Sequence, residues 1–185
     1  ARGLSIAYNG EIYNHLDLRA ELQSAGHAFA TDHSDSEVLI HGYEEWGIEG
    51  LLARLQGMFA FAIWDSVEED LFLVRDRYGI KPLYYATVGN SLVFGSEQRA
   101  ILEHPAIKNN LDKRALLEYF TFQNIFTDRT FVEDIKILPA GTIISINART
   151  RKISRNQYWD YHFKEPKGNV DAREYKEELD RLLRQ

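Results

Sequence analysis

The chain has 185 residues, of which 44% are hydrophobic, 27% charged and 12% aromatic, a globular composition that can fill one domain or slightly more. Its 22 basic residues against 28 acidic ones leave a formal charge of −6, which disfavours nucleic acid or an anionic membrane as the main partner. With no cysteine, these residues supply no disulfide framework, no thiolate metal ligand and no thiol nucleophile. The longest apolar run, Met58 to Trp64, is far shorter than the ~20 residues of a membrane span, and no signal-peptide pattern opens the chain, so a cytoplasmic protein is expected.

In chain order, Leu4 to Tyr8 reads as a strand and Asn9-Gly10 as a tight turn after it. Asn14 can cap a helix through Leu18, Leu22 and Ala25 that stops at Gly26. His27 to Thr31 is expected as a strand, and Ser34-Asp35-Ser36-Glu37 as a capping box opening a helix to Gly47, with a second short helix from Ile48 to Leu55. The run Met58 to Trp64 is apolar at every position, so as a strand it must be covered on both faces. Leu71 to Val74, Leu83 to Val88 and Ser91 to Phe94 continue the strands, with Arg75 to Pro82 interrupting them. Helices are expected from Ser96 to His104 and from Leu111 to Phe122, the second capped by Asp112. Ile135 to Leu138, Thr142 to Asn147 and Lys152 to Tyr158 read as antiparallel strands, the basic run Arg149 to Lys152 as a solvated tip, and Glu174 to Arg184 as an amphipathic helix. Lys164 to Asn169 has the composition of a linker. Grouped helices and grouped hairpins predict an α+β fold of antiparallel sheets layered with helices.

The Tyr8 to Asn14 stretch offers the most chemistry. At a turn, the Gly10 amide lacks a ladder partner and can donate to a ligand oxygen, and the Asn9 carboxamide can donate to the same point, which makes an oxyanion hole. Glu11 adds a carboxylate suited to an ammonium group, and Asp35 is a second carboxylate, in a first helical turn. The alternative for Asn9-Gly10 is a plain hairpin turn. Neither a Gly-x-Ser-x-Gly elbow nor a phosphate loop occurs, and the six histidines form no His-x-x-x-His pair, so surface or packing roles are expected for them and no metal site.

Six segments, in order, carry a resemblance: YNGEIYN at Tyr8 to Asn14, SDSEV at Ser34 to Val38, GMFAFAIWD at Gly57 to Asp65, RDRYGIKPLYY at Arg75 to Tyr85, FGSE at Phe94 to Glu97 and LPAG at Leu138 to Gly141. Together the chain resembles the class II glutamine amidotransferase domain of glutamine-hydrolysing asparagine synthetases. The resemblance implies an N-terminal nucleophile hydrolase fold, a four-layer αββα sandwich with two antiparallel sheets. It also implies that Asn9 and Gly10 are oxyanion-hole donors and that Glu11 and Asp35 help to hold L-glutamine. Arg75, Asp76 and Lys81 belong to a motif of the family for which a structural, ion-paired loop is expected over substrate contact, and Tyr84 and Tyr85 are expected in the core.

The family's nucleophile is an N-terminal cysteine, and its arginine for the substrate carboxylate also precedes the matched segments. Both are expected upstream of Ala1. Residues 1–163 are accordingly expected to be an amidotransferase domain lacking its nucleophile segment, and residues 164–185 a linker and first helix leading to an ATP-dependent synthetase domain. These residues are expected to hold no cofactor; ATP and Mg belong to the synthetase domain. The expected function is the ammonia supply of an enzyme that makes asparagine from aspartate, glutamine and ATP. The alternatives are amidation of another carboxylate acceptor and a non-hydrolysing scaffold domain, and a homodimer is among the assemblies the resemblance allows.

Overall fold

The computed structural model describes residues 3–163 and 171–184. The linker expected at Lys164 to Asn169 lies outside the described residues. Two antiparallel sheets form. The larger joins β1 (Leu4–Ile12), β2 (Gly57–Asp65), β3 (Asp70–Arg75), β7 (Thr142–Asn147) and β8 (Lys152–Gln157) in the order β1-β2-β3-β7-β8. The smaller joins β4 (Tyr84–Val88), β5 (Ser91–Gly95) and β6 (Lys136–Ile137) in the order β5-β4-β6. Helices α1 (His15–Ser24) and α2 (Asp35–Arg54) cover the outer face of the large sheet, and α3 (Gln98–Leu102) lies against β4 and β5. Two further helices, α4 (Lys113–Phe122) and α5 (Ala172–Leu183), complete the described elements.

The core follows from the two faces of β2. Phe59, Phe61 and Ile63 pack with Leu22, Val38, Leu39 and Leu51 under the helices, whereas Ala60 and Ala62 pack with Leu83, Leu138 and Ile144 between the sheets. Each large side chain buried this way contributes about 1.5–3 kcal/mol, while the alanines let the second sheet approach closely. The all-apolar run is therefore covered on both sides, as its sequence requires. A third cluster, Ala86, Ile101 and Ile135, seals α3 onto the small sheet.

Several local expectations are corrected. Asn9-Gly10 is not a turn: β1 runs through it to Ile12, pairing Asn9 with Ala60, Gly10 with Phe59 and Glu11 with Met58. A Cβ on Gly10 would sit 2.3 Å from the Met58 carbonyl oxygen, so the glycine serves a close backbone approach. His27 to Thr31 forms no strand. Its polar backbone is taken by side chains instead, since Glu37 accepts the Ala30 and Thr31 amides at 2.8 and 2.9 Å and Arg19 donates to the Thr31 carbonyl. With Glu37 so engaged the capping box does not form, and the Ser34 side chain makes no cap hydrogen bond. Nor does Asn14 cap α1; it donates to the Arg54 carbonyl and accepts the Gln56 amide, both at 3.0 Å. The expected break at Gly47 is present, where φ 65° and ψ −179° interrupt α2. Asp112 caps α4 by accepting the Arg114 and Ala115 amides. Ile135 to Leu138 contributes β6 to the small sheet, so Pro139 to Gly141 crosses between sheets rather than closing a hairpin. Among the described residues no helix is long and apolar enough to cross a membrane.

Candidate functional site

The C-terminal half of β1 is an edge whose polar backbone can be followed residue by residue. Phe59, opposite Gly10, turns away from it: its amide donates to the Asp76 carboxylate at 3.2 Å and its carbonyl accepts the Asp76 amide at 2.8 Å. In an antiparallel pair, such a residue faces a neighbour whose own N–H and C=O point the other way. The Gly10 amide therefore points out of the free side of β1, as does that of Ile12 two residues on, which donates to Asp35 at 3.1 Å. The unpartnered Gly10 donor expected of a turn arises instead from strand parity at a sheet edge. A glycine there also keeps any side chain away from the donor.

Asn9 projects from the adjacent position, and its carboxamide nitrogen donates to the Ser96 hydroxyl at 3.0 Å. Ser96 lies directly after β5, so the contact fixes the Asn9 side chain from the second sheet while leaving its other N–H free to donate. Glu11 is exposed, with no hydrogen-bond or ion-pair partner among the described residues.

Asp35 reaches the same edge from the first turn of α2. Its carboxylate accepts the Tyr8 hydroxyl at 2.6 Å as well as the Ile12 amide, bridging the residues on either side of Gly10 along the strand. Burial raises the Tyr8 phenol well above its ordinary range, and the hydrogen bond to Asp35 and the charges of Asp35 and Glu11 push it further up. Tyr8 is thus held as a donor, and both carboxylates act on one hydroxyl. The described residues in this way bring Asn9, Gly10, Glu11 and Asp35 to one end of β1, with Asp35 bound to its edge and Asn9 bound to Ser96. No hydrogen bond joins the side chains of Asn9, Glu11 and Asp35 to one another among the described residues.

The Arg75 to Lys81 loop supports this edge from behind. Asp76 is fully buried, and its carboxylate accepts the amides of Phe59, Tyr78, Ile80 and Lys81 at 2.9 to 3.2 Å. Arg75 donates to the carbonyls of Lys81, Gly79 and Leu138 at 2.6 to 2.8 Å. Burial pulls its guanidinium below the ordinary range, and the neighbouring Asp76 charge opposes that shift. The loop is held by Arg75 and Asp76 through backbone groups, and among the described residues no ion pair joins the two side chains. Tyr85 packs between the sheets and Tyr84 against the α3 cluster.

Sequence reasoning passed over Tyr8 and Ser96 as site residues. Both stand inside quoted motifs, yet Ser96 is 87 residues from Asn9 and only the packing of the two sheets makes them neighbours. Of side chains able to hold a metal ion, the described residues bring three within mutual reach at His27, His41 and Glu44 rather than at this edge.

Comparison with known proteins adds three findings. The family described as a glutamine amidotransferase domain matches residues 1–159. The chain is 51% identical over 116 residues to glutamine-hydrolyzing asparagine synthetase 3 of Bacillus subtilis, a match covering 63% of this chain and 19% of that protein. It is 42% identical over 147 residues to a putative glutamine-hydrolyzing asparagine synthetase of Mycobacterium bovis, covering 77% of this chain and 22% of that one. The chain thus spans about a fifth of the length of these relatives. Among solved structures, the glutamine phosphoribosylpyrophosphate amidotransferase of Bacillus subtilis, complexed with ADP and GMP, superposes with a TM-score of 0.58 at 23% identity, covering 84% of this chain and 29% of that one. That likeness shows a shared fold.

Proposed function

This chain belongs to the glutamine amidotransferase domain family, and on that premise we propose that the open end of β1 receives L-glutamine and that the parent protein is a glutamine-hydrolysing asparagine synthetase. The observation that carries the reading is the Gly10 amide, which points out of the free side of β1 beside a carboxamide fixed by Ser96. As a nucleophile adds to the glutamine side-chain amide, its carbonyl oxygen becomes negative. Two preorganised donors, the Gly10 N–H and the Asn9 carboxamide, stabilise that charge more than they stabilise the neutral ground state. Glu11 and Asp35 supply the negative field that the α-ammonium of glutamine needs.

These 185 residues contain no cysteine, so in this reading the attacking thiol comes from elsewhere in the parent polypeptide. The ammonia released passes to a synthetase domain that binds ATP and Mg and activates the acceptor carboxylate. The names of the curated relatives favour aspartate as that acceptor over another carboxylate. Residues 164–185 serve in this reading as the connection to the synthetase domain. The amphipathic face of α5, with Tyr175, Leu179 and Leu182 more than half exposed, supports that role by offering apolar surface for a neighbour.

Asn9→Ala in the full-length enzyme tests the reading. Losing one of two oxyanion donors costs about 2.7–4 kcal/mol, so glutamine-driven turnover should fall roughly 100- to 1000-fold with a smaller change in the glutamine KM. Synthesis from free ammonia should survive. Equal loss of glutamine-driven and ammonia-driven synthesis would make Asn9 a structural strand residue and overturn the proposal.

A further inference from the structure

The coil after α1 and the middle of α2 meet at four titratable side chains that the glutamine site does not use. His41, Glu44 and Glu45 share one face of α2 by their i, i+3, i+4 spacing, and His27 approaches them from the coil. The Nδ1 atoms of His27 and His41 are 3.2 Å apart, and Glu44 Oε2 lies 3.3 Å from the second and 3.9 Å from the first. Three lone-pair atoms thus converge where a single ring proton can join only some of them. A point equidistant from atoms at those separations is about 2.0 Å from each, which is the length of zinc–imidazole and zinc–carboxylate bonds, roughly 2.0–2.2 Å.

A separate contact fixes the tautomer. His27 Nε2 lies 2.9 Å from Glu45 Oε2, and a carboxylate oxygen only accepts, so in the neutral ring the proton of His27 sits on Nε2 and the Nδ1 lone pair faces the cluster. A carboxylate on the far nitrogen is the arrangement that orients metal-bound imidazoles. The side chains of His27, His41 and Glu44 are only 17%, 19% and 16% exposed, yet they line an open cavity of about 760 Å³ with Ile40 and Ala28, through which an ion can enter.

We propose that His27, His41 and Glu44 bind a divalent transition-metal ion of the zinc class, with Glu45 orienting His27 and a fourth position left to water. Two imidazole nitrogens and one carboxylate oxygen select such an ion over calcium or magnesium, which take oxygen ligands. Binding displaces any proton on His41 Nδ1 to its Nε2 or to solvent. The ion ties the 25–34 coil to α2. That coil leads directly into Ser34 and Asp35, so the tie steadies the chain entering the helix turn that meets β1.

The test is a titration of the chelator-stripped whole chain with Zn2+ against a chromophoric competitor, and with Co2+ followed by its visible absorption. One equivalent of Zn2+ should bind, and Co2+ should give the intense bands of a tetrahedral site. His27→Gln, His41→Gln and Glu44→Gln should each weaken Zn2+ binding at least roughly tenfold, and Glu45→Gln should do so by about 10- to 100-fold through His27. His33→Gln removes an exposed ring bonded only to Asp32 and should change nothing. No stoichiometric binding to the stripped wild type, a cobalt spectrum unaltered in His41→Gln, or equal weakening in His33→Gln would overturn the proposal. Should a ligand variant fail to fold by circular dichroism, the wild-type cobalt spectrum and the Glu45→Gln affinity decide the matter.

Discussion

The carboxylate of Asp35 holds the backbone amide of Ile12 at 3.1 Å, so the first turn of α2 fastens the edge strand that carries the candidate oxyanion donor. One side chain thereby has two separable tasks: it accepts hydrogen bonds from Ile12 and Tyr8, and it supplies negative charge beside Gly10. Asp35→Asn keeps an acceptor oxygen but removes the charge. In the full-length enzyme it should raise the glutamine KM and leave the folding midpoint nearly unchanged. Asp35→Ala leaves two donors without a partner, and it should lower stability by about 1–3 kcal/mol in urea unfolding as well. A KM unaffected by Asp35→Asn would count against the charge having any part in substrate binding.

Ser96 accepts the Asn9 carboxamide at 3.0 Å and so positions that donor, whose loss should be felt through kcat. A net hydrogen bond is worth about 0.5–1.5 kcal/mol, which predicts a roughly 2- to 12-fold fall in glutamine-driven kcat for Ser96→Ala, with ammonia-driven synthesis unchanged. In an Asn9→Ala background the same substitution should do nothing further, because the group it positions is gone. Full additivity of the two substitutions would show that Ser96 acts by another route.

Asp76 is a fully buried carboxylate whose four amide contacts come from a tight loop and from Phe59. Asp76→Ala strands these donors away from water and should cost about 3–5 kcal/mol, a large fraction of the stability of a domain this size. Because Phe59 faces Gly10, the loss should also loosen β1, which amide hydrogen exchange at Ile12 and its neighbours can detect. A stability change under roughly 1 kcal/mol would mean that water replaces the carboxylate in the loop.

A polypeptide of these 185 residues should release no ammonia from glutamine, since it has no thiol to form the acyl-enzyme. Ammonia measured above a buffer blank in a purified sample would require a different nucleophile. That outcome would redirect attention to the hydroxyl side chains near β1.

What the sequence by itself determined is what local pattern and burial demand. A run apolar at every position, Met58 to Trp64, had to be covered on both faces once it formed a strand, because no solvent-facing side was available to it. Gly47 had to interrupt its helix, Asp112 had to cap one, and the ordered motifs were enough to name the family. The tertiary structure decided wherever a local preference met a distant partner. Asn9-Gly10 favours a turn in isolation, but pairing with Ala60 and Phe59 holds it as strand, and the glycine is needed for the Met58 carbonyl pressing against it. His27 to Thr31 is expected as a strand from its sequence, yet Glu37 and Arg19 claim its backbone groups. The contacts of Asn9 with Ser96, of Asp35 with Ile12 and of His27 with His41 join segments 87, 23 and 14 residues apart. No periodicity of a single helix or strand encodes such neighbours, because hydrogen bonds and charges act through space and only packing of the layers brings these groups within reach.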